Sequence, residues 1–193
     1  MNSSVAFSRH GIILNACCLM NLYASGRISD ILRSLPLPVA IATYIYERER
    51  ISIYSEAVSN EKRLPEPIDL QPMIHAGMIR LASLSSDEEL MSMYKLATVI
   101  QADGEAYTAA LALHHHWAIG ADDPSTVSLF RQHARQLPIF STPAFIKHWA
   151  ESLSPSFSEI AQALRNIQQR ALYLPPSSHP LYEWWREYIE RRK

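Results

Sequence analysis

A few side chains in this sequence could hold a hard cation. Glu105, Asp122 and Asp123 are carboxylates, and Asn15 and Glu47 occupy comparable places in the chain. Asn15 ends the apolar run Gly11-Ile12-Ile13-Leu14. Asp122-Asp123 ends a second run, Trp117-Ala118-Ile119-Gly120-Ala121, and Glu105 opens the helix that feeds it. Glu47 lies early in the helix after a third run, residues 38–42, and Glu49, half a turn further on, is the alternative for the inward-facing position. Carboxylates crowded at one edge repel each other unless a cation sits among them. Oxygen ligands at a shallow site favour Mg²⁺ or Mn²⁺. One or two such ions can activate water and stabilise in-line displacement at a phosphodiester.

These residues can meet only on a suitable frame. Short continuous apolar runs suit strands buried on both faces, as in a parallel sheet. Runs at 11–14, 38–42, 78–84, 117–121 and 138–140 alternate with helical patterns at 16–24, 28–35, 44–58, 70–76, 87–100, 105–116, 125–136 and 143–152. Thr43 and Asp103 suit N-cap positions, and Ser86 with Glu89 forms a capping box. The polar, Pro-marked segment 59–69 reads as a loop. This alternation predicts a three-layer α/β/α sandwich over residues 1–153, with a parallel sheet covered on both faces. A helical C-terminal extension follows over 154–193, with helices near 156–172 and 181–192 around a Pro-rich break. In such sheets, sites gather at the carboxyl ends of the strands, where all the acidic candidates fall.

Three stretches carry a resemblance. Leu14-Asn15-Ala16-Cys17-Cys18-Leu19-Met20-Asn21-Leu22 resembles the opening of PIN domains, Asp103-Gly104-Glu105-Ala106 followed by Ala110 and Ala112 resembles their second signature, and Gly120-Ala121-Asp122-Asp123 their third. The segment from Pro67 to Gly77 also looks like a linker of one bacterial branch, and the resemblance spans roughly residues 10–145. It implies a fold similar to that of flap nucleases and a Mg²⁺- or Mn²⁺-dependent endoribonuclease of the VapC toxin type. RNA would be the substrate, an antitoxin or other regulatory protein the restraining partner, and a homodimer the assembly. Carried over, Asn15, Glu47, Glu105, Asp122 and Asp123 would be catalytic, with Asn15, Glu105, Asp122 and Asp123 on the metal.

Asn15 departs from the family pattern, which has Asp there. The amide keeps the shape and one acceptor oxygen but loses the charge. A naturally degenerate site and a substitution that silences a toxic nuclease both account for it, and the intact neighbouring pattern favours the second. The alternative function is an inactive PIN-like module that binds RNA or protein. Plainer readings stand beside each residue. Glu105 can serve the helix dipole, Asp122-Asp123-Pro124 can be a turn and cap, and residues 47–50 can be a solvated face. His114, His115 and His116 are consecutive on a helix, so they cannot all face one ion. Trp184 and Trp185, with Tyr182 and Tyr188, suit core packing better than a partner surface.

Composition narrows the classes. With 193 residues and 48% hydrophobic content, the chain can bury a sizeable core. A net charge of −1 supplies no overall basic field, so RNA affinity must come from local groups such as Arg48, Arg50, Arg186, Arg191, Arg192 and Lys193. The two cysteines, Cys17 and Cys18, are adjacent, lack metal-ligand spacing, and read as small buried hydrophobes in a reducing compartment. No run approaches the roughly 20 apolar residues of a membrane span, and no signal-peptide pattern opens the chain. The expectation is a cytoplasmic protein without membrane contact.

Overall fold

The computed structural model describes residues 10–55 and 63–190. Five short strands, β1 (Ile12–Leu14), β2 (Val39–Ala42), β5 (Ile79–Ala82), β6 (Ala118–Gly120) and β7 (Ile139–Phe140), form one parallel sheet in the order β5-β2-β1-β6-β7. Central β1 aligns Ile12 with Val39 on one side and with Ala118 on the other.

Side chains on a strand alternate between faces, and β1 shows why both faces must be covered. Ile12 and Leu14 enter one core with Val39, Ile41 and Ile79. Helices α1 (Ala16–Ala24), α2 (Ile28–Ser34) and α8 (Thr142–Leu153) cover that face. Ile13 enters the opposite core with Ala40, Ala42 and Ile119, beneath α3 (Thr43–Arg48), α5 (Asp87–Ile100), α6 (Asp103–His115) and α7 (Pro124–His133). The alanines of α6 let that helix lie close to the sheet: Ala106, Ala109, Ala110 and Ala112 are fully buried. The architecture is the expected three-layer α/β/α sandwich.

The elements beyond residue 153 join the first of these cores. Helix α9 (Phe157–Asn166) continues into a π-helical turn, Ile167–Ala171, and α10 (Tyr182–Glu190) follows the Pro-rich break. Ile160, Ala163, Leu164, Ile167 and Trp185 all pack there, and Trp185 is fully buried. Trp184 is only partly buried, under Lys147 and beside Tyr188.

Three expectations are corrected. The helix expected over 44–58 ends at Arg48, and Ser52–Tyr54 forms a strand, β3. Within the expected loop 59–69, Pro65–Pro67 forms β4, antiparallel to β3, while residues 59–62 lie outside the described ones. A two-stranded ribbon tolerates these prolines because β4 is an edge on its far side, and Arg170 fastens the hairpin to the π-turn through Glu66 and the Tyr54 carbonyl. Neither Thr43 nor Asp103 is an N-cap: each is the first helical residue, behind Ala42 and Ala102. The short helix α4 (Gln71–His75), closed by Gly77 in the left-handed region at φ +67°, and the Ser86–Glu89 capping box stand as read.

Candidate functional site

The strand order reverses direction between β1 and β6: β2 and β5 extend the sheet to one side, β6 and β7 to the other. The carboxyl ends of two such strands enclose a crevice, the usual ligand position in open α/β sheets. Asn15 leaves β1 there and Asp122 leaves β6, and the Asn15 N–H donates to the Gly120 carbonyl at 3.0 Å. Gly120 lets side chains close in at this junction. A Cβ on it would meet the Leu14 side chain at 2.6 Å and Phe145 at 3.1 Å.

Asn15 is the N-cap of α1, its Oδ1 accepting the Cys18 N–H at 2.9 Å. That contact fixes which amide atom is oxygen. The other atom, Nδ2, is buried and has no hydrogen-bonding partner among the described residues, in a residue only 1% exposed. A buried, unpaired donor costs about 1–3 kcal/mol and demands an explanation.

Electrostatics gather the carboxylates at this edge. Burial first, and then the charges of Asp122, Asp123 and Glu105, push the Cys17 thiol up to about 12. One half-buried sulfur therefore senses all three acids. Cys18, fully buried, is likewise raised by burial and by Asp122, so both cysteines are inert thiols. Cys18 is packed as expected, whereas Cys17 faces charge.

Glu49 is a further carboxylate, beside Glu105. Its pKa is raised, first by burial and then by the charge of Glu105. Gly104 leaves the room: a Cβ there would collide with the Glu49 carboxylate. Glu47, by contrast, is exposed. Because α3 stops at Arg48, the chain turns outward and brings Glu49, not Glu47, to Glu105. Of the two alternatives, Glu49 is the one beside Glu105, and Glu47 stands apart from it. Glu105 is half-buried and has no hydrogen-bonding or ion-pair partner among the described residues.

Asp122 and Asp123 differ in what holds them. Asp122 is buried, and its oxygens accept from Asn21 Nδ2 at 2.9 Å, the Thr142 N–H at 2.7 Å and the Thr142 hydroxyl, while burial, and then its charge, raise the Tyr173 phenol's pKa. A carboxylate has about four lone-pair positions, so three are already committed. Asp123 N-caps α7: its Oδ1 accepts from the Thr126 N–H at 2.7 Å and from the Ser125 hydroxyl, which hold its pKa low. The Thr126 side chain and the Ser125 backbone lower it further.

Among the described residues, no three His, Cys, Asp or Glu side chains stand in the arrangement of an ion site. Glu49 and Glu105 keep open acceptors at the edge, while Asn15 presents an N–H where the pattern it resembles has a carboxylate oxygen. This donor set suits a hard cation in kind but lacks the charge at position 15. The three histidines go separate ways: His114 to Ser92, His115 to Glu89 at 3.1 Å, and His116 to the left-handed helix cap.

Asn21, Thr142 and Tyr173 escape sequence reasoning altogether. They lie 101, 20 and 51 residues from Asp122, on α1, at the start of α8 and after the π-turn. Asn21 interrupts an apolar run, the only local trace of its role. No described helix is long and apolar enough to cross a membrane. No protein-family model matches the chain, and no curated protein is significantly similar to it.

Proposed function

We propose that this chain is a PIN-type, metal-dependent endoribonuclease fold whose activity is switched off, or strongly weakened, by Asn15. The observation that carries the reading is the unpartnered, buried Asn15 Nδ2 at an edge where Glu105, Asp122 and Asp123 act on one thiol. An Asp at 15 would keep the helix cap through one oxygen and present the other at the orphan's position. The three ordered motifs over residues 10–145 support the same reading.

A bound Mg²⁺ or Mn²⁺ would polarise a phosphodiester and lower the pKa of an attacking water. Glu49, Glu105, Asp123 and a carboxylate at 15 would hold it. Asp122 acts differently: its bonds from Asn21 and Thr142 tie the end of β6 to α1 and to the start of α8, so it positions the neighbouring Asp123. By the same resemblance the protein is a cytoplasmic toxin restrained by an antitoxin, and a homodimer.

The missing charge at residue 15 also favours a second reading. Without a carboxylate there the edge repels phosphate less, so this chain can bind RNA without cutting it. An RNA cleavage assay in Mn²⁺ and in Mg²⁺, run on this chain and on Asn15→Asp, separates the two. Cleavage by Asn15→Asp alone supports the nuclease. If neither cuts and calorimetry detects no Mn²⁺ binding by either, the nuclease reading fails and RNA binding by the unmodified chain becomes the function to measure.

A further inference from the structure

Next to the acidic edge, a cleft of about 510 Å³ lies between α7, the end of β7 and the segment after the π-turn. That volume falls in the range of small-ligand sites, roughly 300 to 1,000 Å³. Asp122 and Ala121 line it, so it is continuous with the end of β6.

Its walls combine flat apolar faces with one cation. Tyr173, Phe140, Pro176 and Pro180 supply the faces. Tyr173 is held rigidly, its ring edge-on to Trp185 at 5.9 Å and its phenol beside Asp122. Arg131 lines the cleft, is exposed, and has no carboxylate partner among the described residues. Ser141 is the N-cap of α8 but makes no capping bond through its side chain. Its hydroxyl turns instead to His179 Nε2, 2.9 Å away. His179 Nδ1 accepts the Leu181 N–H at 3.0 Å, so Nε2 carries the proton and donates to Ser141. The Ser141 O–H is thereby released as a donor at the cleft wall.

We propose that this cleft binds one nucleoside monophosphate unit, the base against the Tyr173 and proline faces and the phosphate on Arg131. Rings with planar π-faces stack on such surfaces whatever their sequence, and a guanidinium grips a phosphate through paired N–H donors. The proposal deepens the ribonuclease reading and rests on it for its ligand class: the unit would be a nucleotide of the RNA beside the cleaved bond. A free nucleotide shares the same chemistry.

Calorimetry on the full chain in EDTA, with the nucleoside 5′-monophosphates, the matching nucleosides and ribose 5-phosphate, tests it without any cleavage. At least one monophosphate should bind at a single site, with its nucleoside and ribose 5-phosphate each at least tenfold weaker. Arg131→Ala should weaken binding by about tenfold or more, the value of one charge-assisted hydrogen bond. Ser128→Trp, at an exposed cleft-lining position, should fill the space and weaken it at least as much. A tetranucleotide that competes, and binds more tightly than the monomer, assigns the unit to an RNA chain; a monomer that no oligonucleotide displaces assigns it to a free nucleotide. Absence of saturable monophosphate binding overturns the proposal, as does binding unchanged in both folded variants. If Asn15→Asp cuts RNA while no monophosphate binds, the cleft loses its role and the nuclease stands. If monophosphates bind, Ser128→Trp abolishes it and Asn15→Asp never cuts, the cleft stands and the nuclease does not.

Discussion

Asn15→Asp changes the charge of the acidic edge with almost no change of shape, and thermal stability should register it as a loss in EDTA that Mn²⁺ largely cancels. Two local effects favour the variant. The retained oxygen still caps α1, where a carboxylate gains about 0.3–1 kcal/mol from the helix dipole. The orphan Nδ2–H, costing about 1–3 kcal/mol, disappears. Repulsion opposes both. The new charge enters a region where Asp122, Asp123 and Glu105 already act together on Cys17. At an effective dielectric near 20, one like-charge pair costs about 4 kcal/mol at about 4 Å and about 2 kcal/mol at about 8 Å. Three such neighbours outweigh the local gains, leaving a net cost on the order of 2–4 kcal/mol. For a chain of this size that lowers the melting temperature by roughly 5–15 °C in EDTA. Mn²⁺ at about a hundredfold its dissociation constant returns about 2.7 kcal/mol. Scanning fluorimetry of both proteins in both buffers provides the comparison, and the parent should melt within about 2 °C of itself throughout. A variant that melts above the parent in EDTA, or ignores Mn²⁺, refutes the convergence of residue 15 with the other carboxylates.

Other perturbations test other joints. Glu49 has its pKa raised by burial and by Glu105, so the folded state holds its proton longer than the unfolded one, and stability falls as pH rises from the unfolded value through the raised one. Glu49→Gln should therefore melt above the parent at pH 7 and lose that advantage in acid, while Glu47→Gln tracks the parent; equal effects contradict the placement of Glu49. Burial pushes Glu89 up, but the Ser85 and Ser86 donors and His115 outweigh it and the net pKa is lowered. Its contribution is complete above the unfolded carboxylate pKa and vanishes as pH falls through the folded one. Glu89→Gln should cost about 1 kcal/mol in urea unfolding at pH 7, with the gap closing toward pH 3; a gap independent of pH argues against it. Trp185→Ala should cost about 3–5 kcal/mol, and Trp184→Ala far less; equal losses would mean that α10 is not seated in the core.

The strands were legible because each is a short apolar run between turn signals, and the sheet they form follows from their alternation with helices. The hairpin β3–β4 was not. Glu47, Arg48, Glu49 and Arg50 are all good helix formers, so propensity extends the helix, and two prolines argue against a strand where one forms. That boundary decided which glutamate faces inward. Residue 15 and the Asp122-Asp123 pair were readable because they end apolar runs. The division of labour between the two aspartates was not, because it depends on Asn21, Thr142 and Tyr173, which reach Asp122 from distant parts of the chain.

That arrangement alters how variation at this edge should be interpreted. Asp122 ties α1 and α8 to one carboxylate, with the Tyr173 phenol beside it. Selection for folding alone would preserve it, in active and inactive descendants alike. Glu105 has no such bonds, and its retention would cost a lineage stability through repulsion from Glu49 unless catalysis or ligand binding kept it. Among relatives of this chain, drift at 105 together with 15 would mark loss of activity, whereas constancy at 122 would mark only a chain that still folds.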